Sequence, residues 1–418
     1  MTGLIRSFNF FVLVVLSLSY FYQMIYVFIR WFLKPENVQE ATPRRYAVAI
    51  SARNESAVIG ELLESIRKQN YPSELLDVYV VADNCTDNTA QVARKHRAVV
   101  FERFDRVQVG KGYALNYLFS QIETMMGIEA YDGYLVFDAD NVLDENYIKE
   151  MNKVFAKGYS VVTSYRNSKN YGSNWISAGY ALWFLRESKY LNGARMQCGT
   201  SCAISGTGFL VSSGMIRANH GWKHHLLTED IEFSVDNTIQ GEIIGYCEKA
   251  VLYDEQPVNF RDSWYQRLRW TKGFYQVFRK YGGELFRGAV KRHSFQCYDM
   301  LMTVAPATLL TLFTLFGNSI FAIAGLLCGR PEWTEITLKA VGGNFLGIYL
   351  SLFFFGFVTT ISEWRQIHCE TRKKLLYMFT FPVFIFTYIP IAVAALFKRV
   401  TWIPIHHNIV KSVGQIRG

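Results

Sequence analysis

The sequence predicts an α/β domain, a mostly parallel sheet with helices on both faces, joined to membrane-spanning helices and to amphipathic helices suited to the membrane surface. From Tyr46 onward, short β-rich runs alternate with helical patterns, the order that builds a parallel sheet covered on both sides. Four stretches carry no charge: Ser7–Ile29, Met300–Gly329, Ala340–Ser362 and Leu375–Phe397. Each is long enough to cross about 30 Å of hydrocarbon as a helix. Of the 418 residues 16% are aromatic, high for a soluble chain, while 19% are charged, high for a pure membrane bundle.

The first apolar stretch has the position of a secretory leader. Its apolar run is long, however, and Tyr20, Tyr22 and Tyr26 stand where a cleavage site needs small residues. It is therefore expected to remain as an anchor over residues 1–34. A catalytic domain over residues 45–262 follows. Tyr46–Ser51 reads as a strand and Ala57–Gln69 as a helix with Ile59, Leu62, Leu63 and Ile66 on one face. Asp77–Ala82, Ala98–Glu102 and Gly133–Phe137 are further strands, separated by helices at Thr86–Lys95 and Lys111–Met126. Ligands of such sheets bind beyond the carboxyl ends of the strands. The polar runs sit there: Ala52-Arg53-Asn54-Glu55, Asp83 and Asp138-Ala139-Asp140. No internal repeat or low-complexity linker divides the domain.

Residues 263–298 read as amphipathic interface helices. Trp264, Leu268, Tyr275 and Phe278 recur at near-helical spacing among Arg267, Arg269, Lys272, Arg279 and Lys280. Residues 299–397 hold the remaining apolar spans, and 398–418 form a basic tail. The net charge of +9 invites a nucleic-acid partner. Much of the excess flanks membrane segments instead, at Lys34, Arg44, Arg45, Arg365, Arg372–Lys374, Lys398 and Arg399, as cytoplasmic loops require. No nucleic acid is expected as a partner. The same rule places residues 34–296 in the cytoplasm. Four simple spans would then leave the basic tail outside, so Pro382 and Pro390 point to a broken or re-entrant last segment that returns the tail to the inside. Seven scattered cysteines in that compartment predict no disulfides, and Cys198 and Cys202 lack the other ligands of a zinc site.

Four short motifs carry the chemistry. Asp138 and Asp140 follow an apolar strand; two carboxylates so placed can hold a hard divalent ion together with diphosphate oxygens and water, and an ordinary turn is the alternative. Asp83 ends a strand, where it serves either as a ligand contact or as a helix N-cap. Thr228-Glu229-Asp230 offers a general base or merely opens a helix. Gln266-x-x-Arg269-Trp270 combines a guanidinium suited to phosphate with an aromatic face, or is simply interfacial.

In this order, and followed by charge-free segments, the motifs resemble the family 2 glycosyltransferases, in particular the processive branch with cellulose, chitin and hyaluronan synthases. That resemblance implies a GT-A-like fold and an inverting transfer from a UDP-sugar donor, with Mg²⁺ or Mn²⁺ as cofactor. It assigns Asn54, Glu55, Asp83, Lys111, Asp138, Gln266 and Arg269 to the nucleotide sugar, and Asp140 with Asp138 to the metal. Asp230 is implied as the base, within the Thr228-Glu229-Asp230 motif. Trp270, with Gly206 and Thr207 in the small-residue loop Gly199–Leu210, is implied to meet the acceptor. That loop departs from the cellulose synthase pattern of aromatics leading into Cys-Gly-Ser, which leaves the acceptor open. The processive motif favours a growing polysaccharide over a glycolipid; a β-glucan made from UDP-glucose is the expected product, with a hyaluronan- or chitin-like polymer from UDP-N-acetylglucosamine as the alternative. Membrane lipids are the remaining expected partner, with no obligate protein partner, and a bacterial plasma membrane the expected location. Two readings of the tail Trp402–His407 stand open: packing near the active site in place of a gating loop, or an inert amphipathic end.

Overall fold

The structure, a computed structural model, describes residues 1–33, 37–305, 307–401 and 403–418; Lys34 and Trp402, named above, lie outside the described residues. Helix α1 (Thr2–Phe32) leads into β1 (Tyr46–Ala52), α2 (Ile59–Arg67), β2 (Leu76–Asp83), α3 (Thr89–Lys95), β3 (Val99–Arg103), α4 (Lys111–Met125) and β4 (Gly133–Asp138). The second half of the domain comprises β5 (Val142–Leu143), α5 (Tyr147–Phe155), β6 (Val161–Ser168), α6 (Trp175–Arg186), α7 (Gly193–Gln197), β7 (Phe209–Ser212), α8 (Ser213–Ala218), α9 (Glu229–Gln240) and β8 (Ile244–Asp254). Helices α10 (Phe260–Lys291), α11 (Phe295–Val304), α12 (Ala307–Leu327), α13 (Pro331–Ser362), α14 (Thr371–Phe386), α15 (Tyr388–Phe397) and α16 (Val413–Arg417) complete the chain.

The eight strands form one sheet in the order β3-β2-β1-β4-β7-β6-β8-β5. Strands β3, β2, β1 and β4 are parallel neighbours; β7 enters antiparallel between β4 and β6, and β5 pairs antiparallel with β8. Alternation along β1 explains the two faces. Ala47 and Ala49 point to one side, into the cluster with Leu115 and Leu118 of α4. Tyr46, Val48 and Ile50 point to the other, against Ile59, Leu62 and Ile66 of α2. Full burial of each such aliphatic side chain stabilises by about 1.5–3 kcal/mol. Because β1 lies between β2 and β4, the loops after all three open at one edge of the sheet, where the chain's direction of winding reverses.

Four helical segments, Thr2–Phe32, Leu310–Leu327, Pro331–Ser362 and Thr371–Phe397, are long and apolar enough to cross a membrane. The last is broken at Thr387, between α14 and α15, one turn before Pro390. Proline lacks an N–H and clashes with the carbonyl four residues earlier, so the ladder fails there. Arg267 of α10 fills the break: its guanidinium donates to the Phe384 carbonyl at 3.3 Å and to the Thr387 hydroxyl, and lies 4.5 Å from the centre of the Phe384 ring. The amphipathic helix is thus packed on two sides. Leu268 meets Ile391 and Ala395 of α15, while Val277 and Leu285 meet α9 and α11.

Candidate active site

A cavity of about 1390 Å³ runs from the carboxyl edge of the sheet to the apolar helices. At its sheet end are Glu55, Asp83, Lys111, Asp138 and Asp140. At its middle stand Thr228, Glu229, Asp230, Gln266, Arg269 and Trp270. At its far end are side chains of α1, α12 and α13, among them Leu13, Leu16, Leu315 and Phe354.

Strand ends and tight turns aim these groups. Asp83 closes β2 and accepts from the Arg103 guanidinium at 2.6 Å. Helix α3 begins only at Thr89 with Asn88 before it, so Asp83 does not cap it. Asp138 ends β4, and Lys111, at the first position of α4, donates to its carboxylate and to the Gly206 carbonyl at 2.7 Å. Gly206 holds a left-handed φ of 86°, which a side chain would strain, and so brings the small-residue loop close to Asp230. Asp140 is 6% exposed; one of its oxygens accepts from the Glu255 amide at 3.1 Å. Burial alone would raise its carboxyl, but His407, Lys169 and Arg166 with that amide hold it below the ordinary carboxylate range. Asp138 and Asp140 offer hard carboxylate oxygens of the kind Mg²⁺ or Mn²⁺ takes; among the described residues no cluster of three or more His, Cys, Asp or Glu side chains gathers to hold a metal.

Asp230 and Glu229 form the first turn of α9. Burial raises both, Glu229 to about 7, against the opposing charges of Lys111 and Arg269. The turn is pressed into place by α10: a side chain at Gly273 would lie 2.6 Å from the Thr228 hydroxyl, so the helix backbone touches the motif directly. Arg269 donates to the Leu227 carbonyl at 3.4 Å, and Trp270 packs edge-on to Tyr180 and Phe184. Just before this turn His224 and His225 point apart, His224 to Asp236 at 3.0 Å and His225 onto the Tyr113 ring.

Two expected ligand contacts face elsewhere. Asn54, at φ 58°, accepts from the Thr86 amide at 2.7 Å and ties the loop after β1 to that after β2; the cavity wall beside it is Arg53. Thr207 is buried beneath the wall, accepting from the Asp138 amide at 2.9 Å and donating to Asn141 at 2.5 Å, so its hydroxyl fixes the Asp138 turn rather than facing an acceptor.

Other groups in the cavity were not singled out from sequence. Arg166 of β6 donates to Asp254 at 2.6 Å, at the end of β8, and to the Ser205 carbonyl at 2.5 Å. Glu255 follows Asp254 and accepts from the Asn408 and Ile409 amides of the tail at 3.1 and 2.8 Å. His407 faces Glu55, and Ile403, Pro404 and Ile405 line the cavity beside it. The tail therefore packs against the active-site residues. The β-rich run Ile244–Tyr253 ending in Asp254-Glu255 was the available signal for the second sheet edge.

A family model described as Glycosyltransferase like family 2 matches residues 43–273. The Probable glycosyltransferase YdaM of Bacillus subtilis (strain 168) is 24% identical over 314 residues, 69% of this chain and 68% of that protein. A Beta-monoglucosyldiacylglycerol synthase of Synechocystis sp. is 25% identical, covering 56% of this chain and 48% of that one. A Poly-beta-1,6-N-acetyl-D-glucosamine synthase of Staphylococcus epidermidis is 25% identical, covering 54% of each. The chain thus spans about two thirds of the first relative and about half of the other two. Among solved structures, the mannosyltransferase PcManGT of Pyrobaculum calidifontis, in complex with GDP-Man and Mn²⁺, superposes over 93% of this chain and 99% of its own with a TM-score of 0.55 at 16% identity.

Proposed function

The chain belongs to the glycosyltransferase family 2-like proteins and has their GT-A-like fold, and from that premise we propose that it is a membrane-embedded, inverting, metal-dependent transferase that polymerises UDP-glucose into a β-linked glucan. The observation that carries this reading is the single cavity joining Asp83, Asp138 and Asp140 to Asp230, Trp270 and the apolar helices.

In this account the nucleotide lies along Glu55 and Asp83, and the diphosphate lies between Lys111 and Arg269. Asp140, with Asp138, holds Mg²⁺ or Mn²⁺, as the solved neighbour's complex with Mn²⁺ makes reasonable. When bound, the ion supplies Lewis-acid relief of the charge gathering on the departing diphosphate. Asp230 takes the proton of the acceptor hydroxyl as its oxygen bonds to the anomeric carbon; the bond to the diphosphate breaks and UDP leaves with the electron pair. Trp270 offers its face to the acceptor sugar, and the lengthened product moves into the cavity between the membrane helices. The tail's contacts with Glu55 and Glu255 put it on the same side as the sheet. This supports a broken last segment; in this reading the tail and the catalytic domain both lie on the cytoplasmic side of a bacterial plasma membrane.

A second reading, a glycolipid synthase, is favoured by one observation: the far end of the cavity is lined by Leu13, Leu16, Leu315 and Phe354, which suit an acyl chain. The test is to supply the purified full chain, in lipid nanodiscs with Mg²⁺ or Mn²⁺, with UDP-glucose, UDP-N-acetylglucosamine, UDP-galactose or UDP-glucuronate in turn, and to size the products. High-molecular-weight material from UDP-glucose, cut by β-glucanases, is the expected result. Small lipid-extractable product would replace the polymer reading with the glycolipid one.

A further inference from the structure

Between α6 and α7 the helix widens into a single π turn, Glu187–Asn192, in which hydrogen bonds reach one residue further than in an α-helix. Such turns cost regularity and recur at functional positions. The other polar side chains of this turn have partners in the scaffold. Ser188 accepts from the Arg166 amide at 3.1 Å, and Lys189 donates to Glu248 at 2.8 Å. Tyr190 accepts from the Trp31 indole at 3.2 Å, and Asn192 exchanges two hydrogen bonds with the Ala203 backbone. Glu187 differs: its side chain lines the cavity, on the same wall as Trp183, Phe184 and Trp270.

The nearby cations are already committed. Arg195 is bound to Asp299 at 2.7 and 2.8 Å, and Arg166 to Asp254 and Ser205. Among the described residues neither forms an ion pair with Glu187, whose one side-chain partner is Ser205, next to Gly206. Burial raises the Glu187 carboxyl; Ser205 and the charges of Arg195 and Arg166 pull it down, and the negative charge of Asp230 adds to the rise. A desolvated carboxyl with no ion pair of its own is costly in a folded chain unless something else uses it. Here it stands beside an aromatic wall and near the base. That combination, a flat apolar face with a carboxylate at its side, matches a pyranose with an apolar C–H face and hydroxyls around its rim.

We propose that Glu187 is an acceptor-binding residue, whose carboxylate accepts hydrogen bonds from hydroxyls of the acceptor sugar adjacent to the one Asp230 deprotonates. Of the polar side chains of the π turn, Glu187 is the one that lines the cavity, beside the apolar Leu191. The proposal rests on the transferase reading above. Donor recognition lies at the sheet end and does not involve Glu187.

The test uses the full chain in nanodiscs, UDP-glucose as donor and octyl β-D-glucoside as acceptor probe, a sugar on an apolar tail that suits either kind of acceptor. Glu187→Gln and Glu187→Ala should raise the KM for the probe about ten-fold or more, leave the KM for UDP-glucose within about two-fold, and melt no lower than the unsubstituted protein. A carboxyl that only supported the scaffold would show the reverse, a lower melting temperature with the probe KM unchanged, and that result overturns the assignment. Unsubstituted protein that transfers no glucose to the probe would overturn the acceptor reading and this assignment together. Transfer by the unsubstituted protein with an unchanged probe KM in both variants overturns this assignment alone.

Discussion

His407 and Glu55 are 352 residues apart in the chain, and the imidazole Nδ1 lies 2.9 and 3.1 Å from the two carboxylate oxygens. This contact fastens the tail to the loop after the first strand, at the sheet end of the cavity. Burial opposes a charge on the imidazole, but Asp140, Glu55 and Glu255 outweigh it and hold His407 up to about 10. Burial likewise raises Glu55, to about 7, with His407 pulling against it.

A folded value above the ordinary 6.5 means that the charged imidazole stabilises fully below about pH 6.5 and progressively less as pH rises to about 10. His407→Ala should therefore lower the melting temperature most at the acid end of that window. Above pH 10 the two proteins should melt together. The variant should also expose residues 403–418 to protease at neutral pH, which limited digestion would detect.

Asp230→Asn keeps the shape of the first turn of α9 and removes the base. Transfer should fall by several orders of magnitude, while calorimetry should find UDP binding within about two-fold, since the nucleotide end is untouched. Because burial raises Asp230, the acid limb of kcat/KM should lie above the usual carboxylate value near 4. Lys111 and Arg269 pull it down, so Arg269→Ala should move the limb of the residual activity upward.

Gly273→Ala would drive a methyl group to 2.6 Å from the Thr228 hydroxyl and 2.9 Å from its backbone nitrogen. Relief requires α10 or the Thr228 turn to shift. Overpacking of this kind costs about 1–3 kcal/mol, and here the displaced group carries Asp230. The expected result is a moderate loss of melting temperature with a far larger loss of kcat.

Asp299→Asn would strand Arg195, whose guanidinium is 1% exposed and bonded to both Asp299 oxygens. Tyr22 and Tyr26 of α1 donate to the same carboxylate at 3.0 and 2.7 Å. Leaving a buried charge without its partner costs about 3–5 kcal/mol. Denaturant titration in detergent should show α1 loosening from α7 and α11, with the sheet retained.

The N-terminal half of the sheet was legible because its signals are local. Strand periodicity and a polar run after each strand placed β1, β2 and β4, and hence Asp83 and Asp138, to within a residue or two. The second half was not, because β7 inserts antiparallel between β4 and β6, and that order depends on contacts between distant segments rather than on periodicity. Arg166, Asp254 and Glu255 went unread for the same reason. Glu187 was hidden within an apolar helical run, where only the π turn separates it from core positions. Asn54 and Thr207 misled in the opposite way: each lies beside a site residue in sequence, and side-chain direction turns it to the scaffold. A break in the last span was expected from Pro382 and Pro390; the structure breaks the helix only at Thr387, before Pro390, and carries Pro382 inside α14. The role of Arg267 went unread because that arginine reads as one more charge on an amphipathic face.

The anomeric configuration of the product tests the account most directly. UDP-glucose is α-configured, and one displacement assisted by Asp230 alone must invert it. Proton NMR of product formed by the full chain in nanodiscs should show only β-linked glucose, by its large anomeric coupling, and none with Asp230→Asn. An α-linked product would contradict the account, because a single in-line displacement on an α-configured donor cannot retain its configuration.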